Sequence, residues 1–336
     1  MSTDFEWDPK NSQVYTNTHI ILSSTKPNSF DKLGGANFTM NAKNEILTLQ
    51  NDSEDIPIYW PEFTRNDDGT MTDSGKGLDI NVSAGTLEVD YLSENRNNTV
   101  AYLGCAESAK FNLENSGILS IKNPGTVFMF IDYVASNKLK PPKLTMSGKS
   151  EFEIIQKEKI EDDVPAFIFL ASEISLSESS KLTFESSNLY LGDGNFNYCN
   201  ISIQDKSIVT LINNGIMQKN DIEKDKTWFK LIAGSPSLNL KSFDGIHFPL
   251  YLDNVEYPEG LFNFINTEGK NEGKITINFA KPSPKEDFDI FTKKIFNKKL
   301  IHLNGQVADR ESFNISYGNE VINDNHIDTV TISLKN

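Results

Sequence analysis

Residue types suited to acid–base chemistry are plentiful in this sequence, but their spacing gathers few of them together. Glycoside hydrolysis needs two carboxylates converging on one face, about 5–9.5 Å apart. Asp162-Asp163 is the adjacent acidic pair nearest a strand end. Strand alternation turns neighbouring side chains to opposite faces, and Lys157, Glu158 and Lys159 beside the pair make the stretch read as a charged loop. Lyase chemistry on acidic sugars needs a base together with Arg or calcium to neutralise the uronate, and only Arg65, Arg96 and Arg310 are available. The four histidines, His19, His247, His302 and His326, lie far apart, which suggests neither a zinc site nor a Ser-His-Asp arrangement. Asn66-Asp-Asp-Gly69 and Asp193-Gly194 lack the ligand spacing and closing Glu of a calcium loop. No catalytic residue, metal site or cofactor is expected. Tyr59 and Trp60, within Ile58-Tyr-Trp-Pro-Glu-Phe63 and beside an acidic loop, are the candidate binding residues, because exposed aromatic faces can stack on sugar rings.

Charge narrows the partners. The 336 residues carry 47 acids against 32 bases, a formal charge of −15. That average repels nucleic-acid phosphates and anionic membrane surfaces. The run Lys293, Lys294, Lys298, Lys299 reads as a solvated helix face or a solenoid end. No window approaches 18 consecutive apolar residues, so no membrane insertion is expected. Met1–Lys10 has neither the basic nor the apolar region of a secretory signal. Cys105 and Cys199 lie 94 positions apart, outside any C-x-x-C unit, and read as small buried core residues.

The elements that would position any site come from an internal repeat. Phe111-x-Leu113 is followed, after five residues, by Leu119-x-Ile121. Leu144-x-Met146 leads to Phe152-x-Ile154, Ile174-x-Leu176 to Leu182-x-Phe184, and Ile201-x-Ile203 to Val209-x-Leu211, all at that spacing. Ile80-x-Val82 and Leu87-x-Val89 form an earlier copy with a connector one residue shorter. Successive copies start 31, 33, 30 and 27 residues apart. Period-two alternation marks half-buried strands, and Ser, Gly, Asn and Asp in the connectors supply turn chemistry. A third apolar strand falls between copies, at Thr99–Leu103, Thr126–Ile131, Ala166–Leu170, Leu189–Leu191 and Trp228–Ile232. Its near-continuous apolar character predicts a face that is covered on its outside too.

Three short strands per repeat predict an all-β chain, a right-handed parallel β-helix (solenoid) with three strands per coil. Scarce Asn-Gly and Asp-Gly signals at the connectors argue against an antiparallel sandwich. The regular part is placed at 76–234, after a less regular N-terminal cap and first coils at 1–75. Residues 235–336 read as a C-terminal β-rich extension or small β domain. Within it, Glu286–Lys299 would put Phe288, Phe291 and Ile295 on one helical face that could cap a coil end.

The stretch Ala166-Phe-Ile-Phe-Leu-Ala-Ser-Glu-Ile-Ser-Leu-Ser-Glu-Ser-Ser-Lys-Leu-Thr-Phe184 resembles the rungs of pectate-lyase-like adhesive domains in bacterial surface proteins. It is also similar to autotransporter passenger domains. The likeness covers about 76–234 and lies in the pattern of apolar, small and polar positions. It implies the right-handed coil, a cell-surface or extracellular setting, and adhesion or display as the role. The expected function is a non-enzymatic, adhesin-like binding or assembly protein that recognises glycan or protein through its coil surface. The alternatives are a polysaccharide hydrolase or lyase using acids such as Asp162 or Asp163, and a self-associating filament or particle subunit.

Overall fold

The structure, a computed structural model, describes residues 5–26, 29–52, 57–62, 64–65, 71–72, 76–92, 99–104, 109–129, 142–156, 167–192, 199–217, 228–279 and 289–335. The chain divides into two compact units, Met1–Glu173 and Ile174–Asn336. Both are built from β-strands, most of them paired in parallel, and one α-helix occurs among the described residues.

Unit one runs through β1 (Gln13–Tyr15), β2 (Ile20–Ser24), β3 (Phe38–Asn51), β4 (Ile58–Trp60), β5 (Thr64–Arg65), β6 (Met71–Thr72), β7 (Leu78–Tyr91), β8 (Val100–Leu103), β9 (Ala109–Lys122), β10 (Thr126–Met129), β11 (Lys143–Met146), β12 (Glu151–Ile155) and β13 (Phe167–Leu170). Parallel register stacks one residue per rung: Tyr15 on Met40, Met40 on Val82, Val82 on Leu113, Leu113 on Met146. All five are fully buried. A second column stacks Leu47, Leu87, Leu119 and Phe152 in the same way. The inward set is apolar because each position is enclosed by its own rung and the rungs above and below.

The outward set of these rungs is polar and also in register. Asn112 donates to Asn81 at 2.8 Å, and Lys122 meets Glu88 at 2.5 Å. Ser120 donates to Glu153 at 2.6 Å. The strands β4, β8, β10 and β13 form a different face. They pair in parallel, and their outward residues Tyr59, Tyr102, Phe128 and Phe169 are half-buried and aromatic.

The turn chemistry of the connectors has a definite backbone basis. In unit one their second residue, Asn115 or Gly148, takes a positive φ of 52° or 72°. Gly and Asn tolerate that left-handed conformation best. At Gly117 a close approach sets the residue, because a Cβ there would lie 1.9 Å from the Val82 carbonyl oxygen.

Unit two opens within β14 (Glu173–Leu176) and continues with β15 (Lys181–Glu185), β16 (Asn188–Leu191), β17 (Asn200–Asp205), β18 (Ile208–Ile212), β19 (Ile216–Met217), β20 (Trp228–Gly234), β21 (Ser237–Lys241), β22 (Phe262–Phe264), β23 (Lys274–Phe279), α1 (Asp289–Asn297), β24 (Ile301–Leu303), β25 (Gln306–Val307), β26 (Phe313–Ile322) and β27 (Asn325–Leu334). Its parallel columns include Leu182, Val209, Leu238 and Ile275, and Ile201, Phe229, Phe262 and Ile301. Glu178 and Asp205 repeat the left-handed turn at the second connector position, and Gly234, one residue later in its connector because of a register shift, supplies it in the next copy. Buried Ser180 and Ser207 share a 3.3 Å hydrogen bond. The parallel run closes on an antiparallel hairpin: β27 pairs with β23 on one side and β26 on the other.

Two details of the predicted repeat change. Trp228–Ile232 is not a third strand, because β20 pairs with β17 and opens another copy whose second half is β21. The third-strand position in that turn is β19, only two residues long, paired with β16. Lys230 points outward between buried Phe229 and Leu231, the same alternation as Ile201-x-Ile203. Parallel pairing also continues on either side of 76–234: β3, in the expected first coils, lies on β7, and β20 and β21 carry the pairing past 234 to β22, β23 and β24. Finally, β7 and β9 each run 14 residues through their connectors, with a register shift between Val82 and Ala84.

Candidate functional site

Alternation along β4 separates the two aromatic residues expected to bind together. Trp60 points inward and has no exposed surface; its indole N–H donates to the Phe30 carbonyl at 2.8 Å, and its ring stacks on Trp7 at 6.0 Å. Trp60 is therefore a core residue with no ring face for a ligand, which corrects the expected Tyr59–Trp60 platform. Tyr59 points outward and stacks face to face on Tyr102 at 4.9 Å, and Tyr102 stacks on Phe128 at 5.0 Å. The rings cover one another's faces, so this row presents mainly edges.

The other residues singled out are dispersed. Asp162, Asp163, Lys157, Glu158, Lys159, Arg96, Cys105, Phe288, Asn66–Gly69 and Asp193-Gly194 lie outside the described residues. Cys199 is buried. Among the described residues no three His, Cys, Asp or Glu side chains are grouped to hold a metal ion.

Two polar clusters escaped the sequence reading. In the first, Lys32 is fully buried, and its ammonium donates to the Asp8 and Asn11 carbonyls and to Gln13 Oε1. Burial pushes it down to about 8. Adjacent Asp31 is buried too. It accepts the Tyr59 N–H at 2.9 Å through Oδ1, and burial pushes its carboxyl up to about 7 despite that bond. The only hint was a charged pair between Phe30 and Leu33.

In the second, Asp289 at the start of α1 holds Arg310, accepts the Tyr317 hydroxyl at 3.1 Å, and lies 3.4 Å from Lys293. Burial works against its charge, but the hydroxyls of Tyr317 and Thr292 and the Arg310 charge outweigh it and keep the carboxyl low. This cluster ties the helix to β26 and to the turn that precedes it.

A hollow in unit two lies between the 248–254 loop and α1, with a volume of about 280 Å³. Its wall includes Phe248, Leu250, Tyr251, Ile290 and Phe291, and Asp253, Asn254 and Lys294 bring polar groups to it. The loop is held from below. Asp244 accepts the N–H groups of Ile246 and His247 at 2.8 Å and meets the His247 ring at 2.6 Å. Burial raises the Asp244 carboxyl, but these bonds prevail and hold it low. Tyr257, buried and pushed up to about 12 by that burial, accepts the Tyr251 N–H and donates to the Ile216 carbonyl. On the helix side, Phe291 stacks on Phe279 at 4.7 Å and Ile295 is fully buried. The Lys294 ammonium closes the rim by contacting both Asp253 oxygens at 2.8 Å. Such a site can bind an amphipathic ligand: aromatic and aliphatic wall for apolar surface, converging polar groups for orientation.

Compared with known proteins, the chain matches no family model, no curated protein and no solved structure.

Proposed function

We propose that the chain is a right-handed parallel β-helix that binds its ligand without transforming it: a non-enzymatic, adhesin-like protein of an extracellular or cell-surface setting. The finer fold reading is supported by the stacking of Val82, Leu113 and Met146 in one buried column at repeat spacing. Short strands in constant register need corners, and the left-handed residues at Asn115, Gly148, Glu178, Asp205 and Gly234 supply one corner type.

The observation that carries the binding reading is the preformed hollow beside α1. Its charged groups, Asp253 and Lys294, are committed to each other, and its aromatic residues are held by hydrogen bonds and stacking. Preorganised walls lower the entropy lost on association. Glycan is the favoured ligand class and another protein surface the alternative. A panel of neutral and acidic polysaccharides, assayed for retention of the protein and for new reducing ends or unsaturated products, tests this. Saturable retention without products is the expected result; turnover of any member would remove the non-enzymatic reading.

Self-assembly is favoured by a separate observation. On the first strands, Val14 is 64% and Ile21 54% exposed, each pointing away from the core column. Exposed apolar residues on edge strands promote pairing with another chain. Sedimentation over a wide concentration range would show association under this reading, and a strictly monomeric profile would exclude it.

A further inference from the structure

We infer that the hollow between the 248–254 loop and α1 takes one neutral, polyhydroxylated ring, such as a terminal pyranose of a glycan. The inference rests on the binding reading above and names its ligand class. Size is the first reason: about 280 Å³ lies just below the range of ordinary ligand pockets. It suits a single ring better than an extended chain or a peptide helix.

Wall and rim together set the chemistry. Phe248, Tyr251 and Phe291 offer aromatic surface to the C–H faces of a saturated ring. Tyr251 is fixed at both ends, its hydroxyl accepting the Phe248 N–H at 3.4 Å and its own N–H donating to Tyr257 at 3.1 Å. At the rim, Asp253 supplies acceptors, Lys294 donors, and Asn254 both. A hydroxyl can donate to one of these groups and accept from another, so adjacent hydroxyls match an alternating rim.

Charge discriminates among ligands. Asp253 and Lys294 cancel, and an ionic ligand would have to displace a pair joined by two 2.8 Å contacts. The chain's net charge of −15 further disfavours anions. A wholly apolar ligand would strip water from the rim and return no hydrogen bonds. A neutral polyol avoids both penalties.

The test is ligand-observed NMR on the full chain with neutral methyl glycosides, using glucuronate as the anionic probe and benzyl alcohol as the apolar one. Neutral glycosides are expected to bind preferentially. The double variant Asp253→Ala, Asn254→Ala changes exposed positions and should weaken binding about tenfold or more without moving the thermal midpoint. Ile290→Trp should block the hollow by filling it. Glucuronate or benzyl alcohol binding as well as the glycosides would overturn the inference. So would an absence of glycoside binding at millimolar concentrations. If glycosides bind and the double variant is unaffected, the sugar sits elsewhere: the inference fails while the binding reading stands. If Ile290→Trp does not fold, the exposed double variant still decides.

Discussion

The Lys32 ammonium lies 4.8 Å from the centre of the Trp7 ring, inside the N-terminal part of unit one. Next to it in sequence, Asp31 keeps Oδ2 without a hydrogen-bond partner among the described residues. Two ionisable groups thus enter the core side by side, and burial moves each toward neutrality, Asp31 up to about 7 and Lys32 down to about 8. Their effects on stability have opposite signs with pH. The folded state holds the Asp31 proton more tightly than the unfolded chain, whose value is 3.8. That contribution is fully present below the unfolded value and is lost as pH rises through about 7. Lys32 releases its proton more easily when folded, so its penalty is present below about 8 and relieved as pH rises toward 10.5.

Asp31→Asn should therefore flatten the acid side of the stability profile. Urea unfolding across the range should show the variant more stable than wild type at about pH 8, by on the order of 2–4 kcal/mol. Parallel profiles for the two proteins would contradict the buried, proton-holding state of Asp31.

Trp60 offers a test that separates core packing from ligand contact. Trp60→Phe keeps an aromatic ring but leaves the Phe30 carbonyl without the indole donor. A loss of about 1–3 kcal/mol in unfolding free energy is expected, with glycan binding unchanged. Weaker binding at unchanged stability would restore Trp60 as a contact residue.

The tight corners make a sharper prediction. Gly117→Ala forces a Cβ to 1.9 Å from the Val82 carbonyl oxygen, where backbone itself must move. Gly305 has a φ of +77° but nothing within 4 Å of the added atom. Thermal denaturation should show Gly117→Ala losing several-fold more stability than Gly305→Ala, whose strain is expected near 1–2 kcal/mol. Equal losses would mean that close approach between rungs does not govern the corner.

Asp289 gathers Arg310, Tyr317, Thr292 and Lys293 at the start of α1, and Asp289→Ala should loosen the helix that forms one wall of the hollow. Faster amide exchange in 289–297 is the expected readout, with β21 and β23 unchanged. Because the folded carboxyl sits below its unfolded value, the stabilisation should be present above 3.8 and fade as pH falls further. Unaltered exchange in the helix would show that Phe279 packing alone holds it.

Much of this architecture was legible because inward residues recur at fixed spacing. Phe111-x-Leu113 and Leu144-x-Met146 stack in register, and the connectors turn as their Ser, Gly, Asn and Asp content suggested, although in one of them the left-handed residue is Glu178. What misled was local resemblance. Trp228–Ile232 is apolar enough to imitate a third strand, whereas the third-strand position is held by a two-residue segment too short for periodicity to register. The hollow was invisible for a different reason. Tyr251 and Asp253 meet Phe291 and Lys294 only through the fold, about 40 residues apart in the chain, and no short motif encodes that meeting. Tyr59 and Trp60 failed as a pair because strand alternation, applied to Asp162-Asp163, applies equally to them.

The most direct test of binding without turnover is a single NMR titration of the full chain with a neutral oligosaccharide, followed for several days. Saturable broadening of the ligand signals, with the oligosaccharide spectrum intact at the end, is the expected result. New anomeric or unsaturated-sugar resonances growing with time would contradict it and make the protein an enzyme.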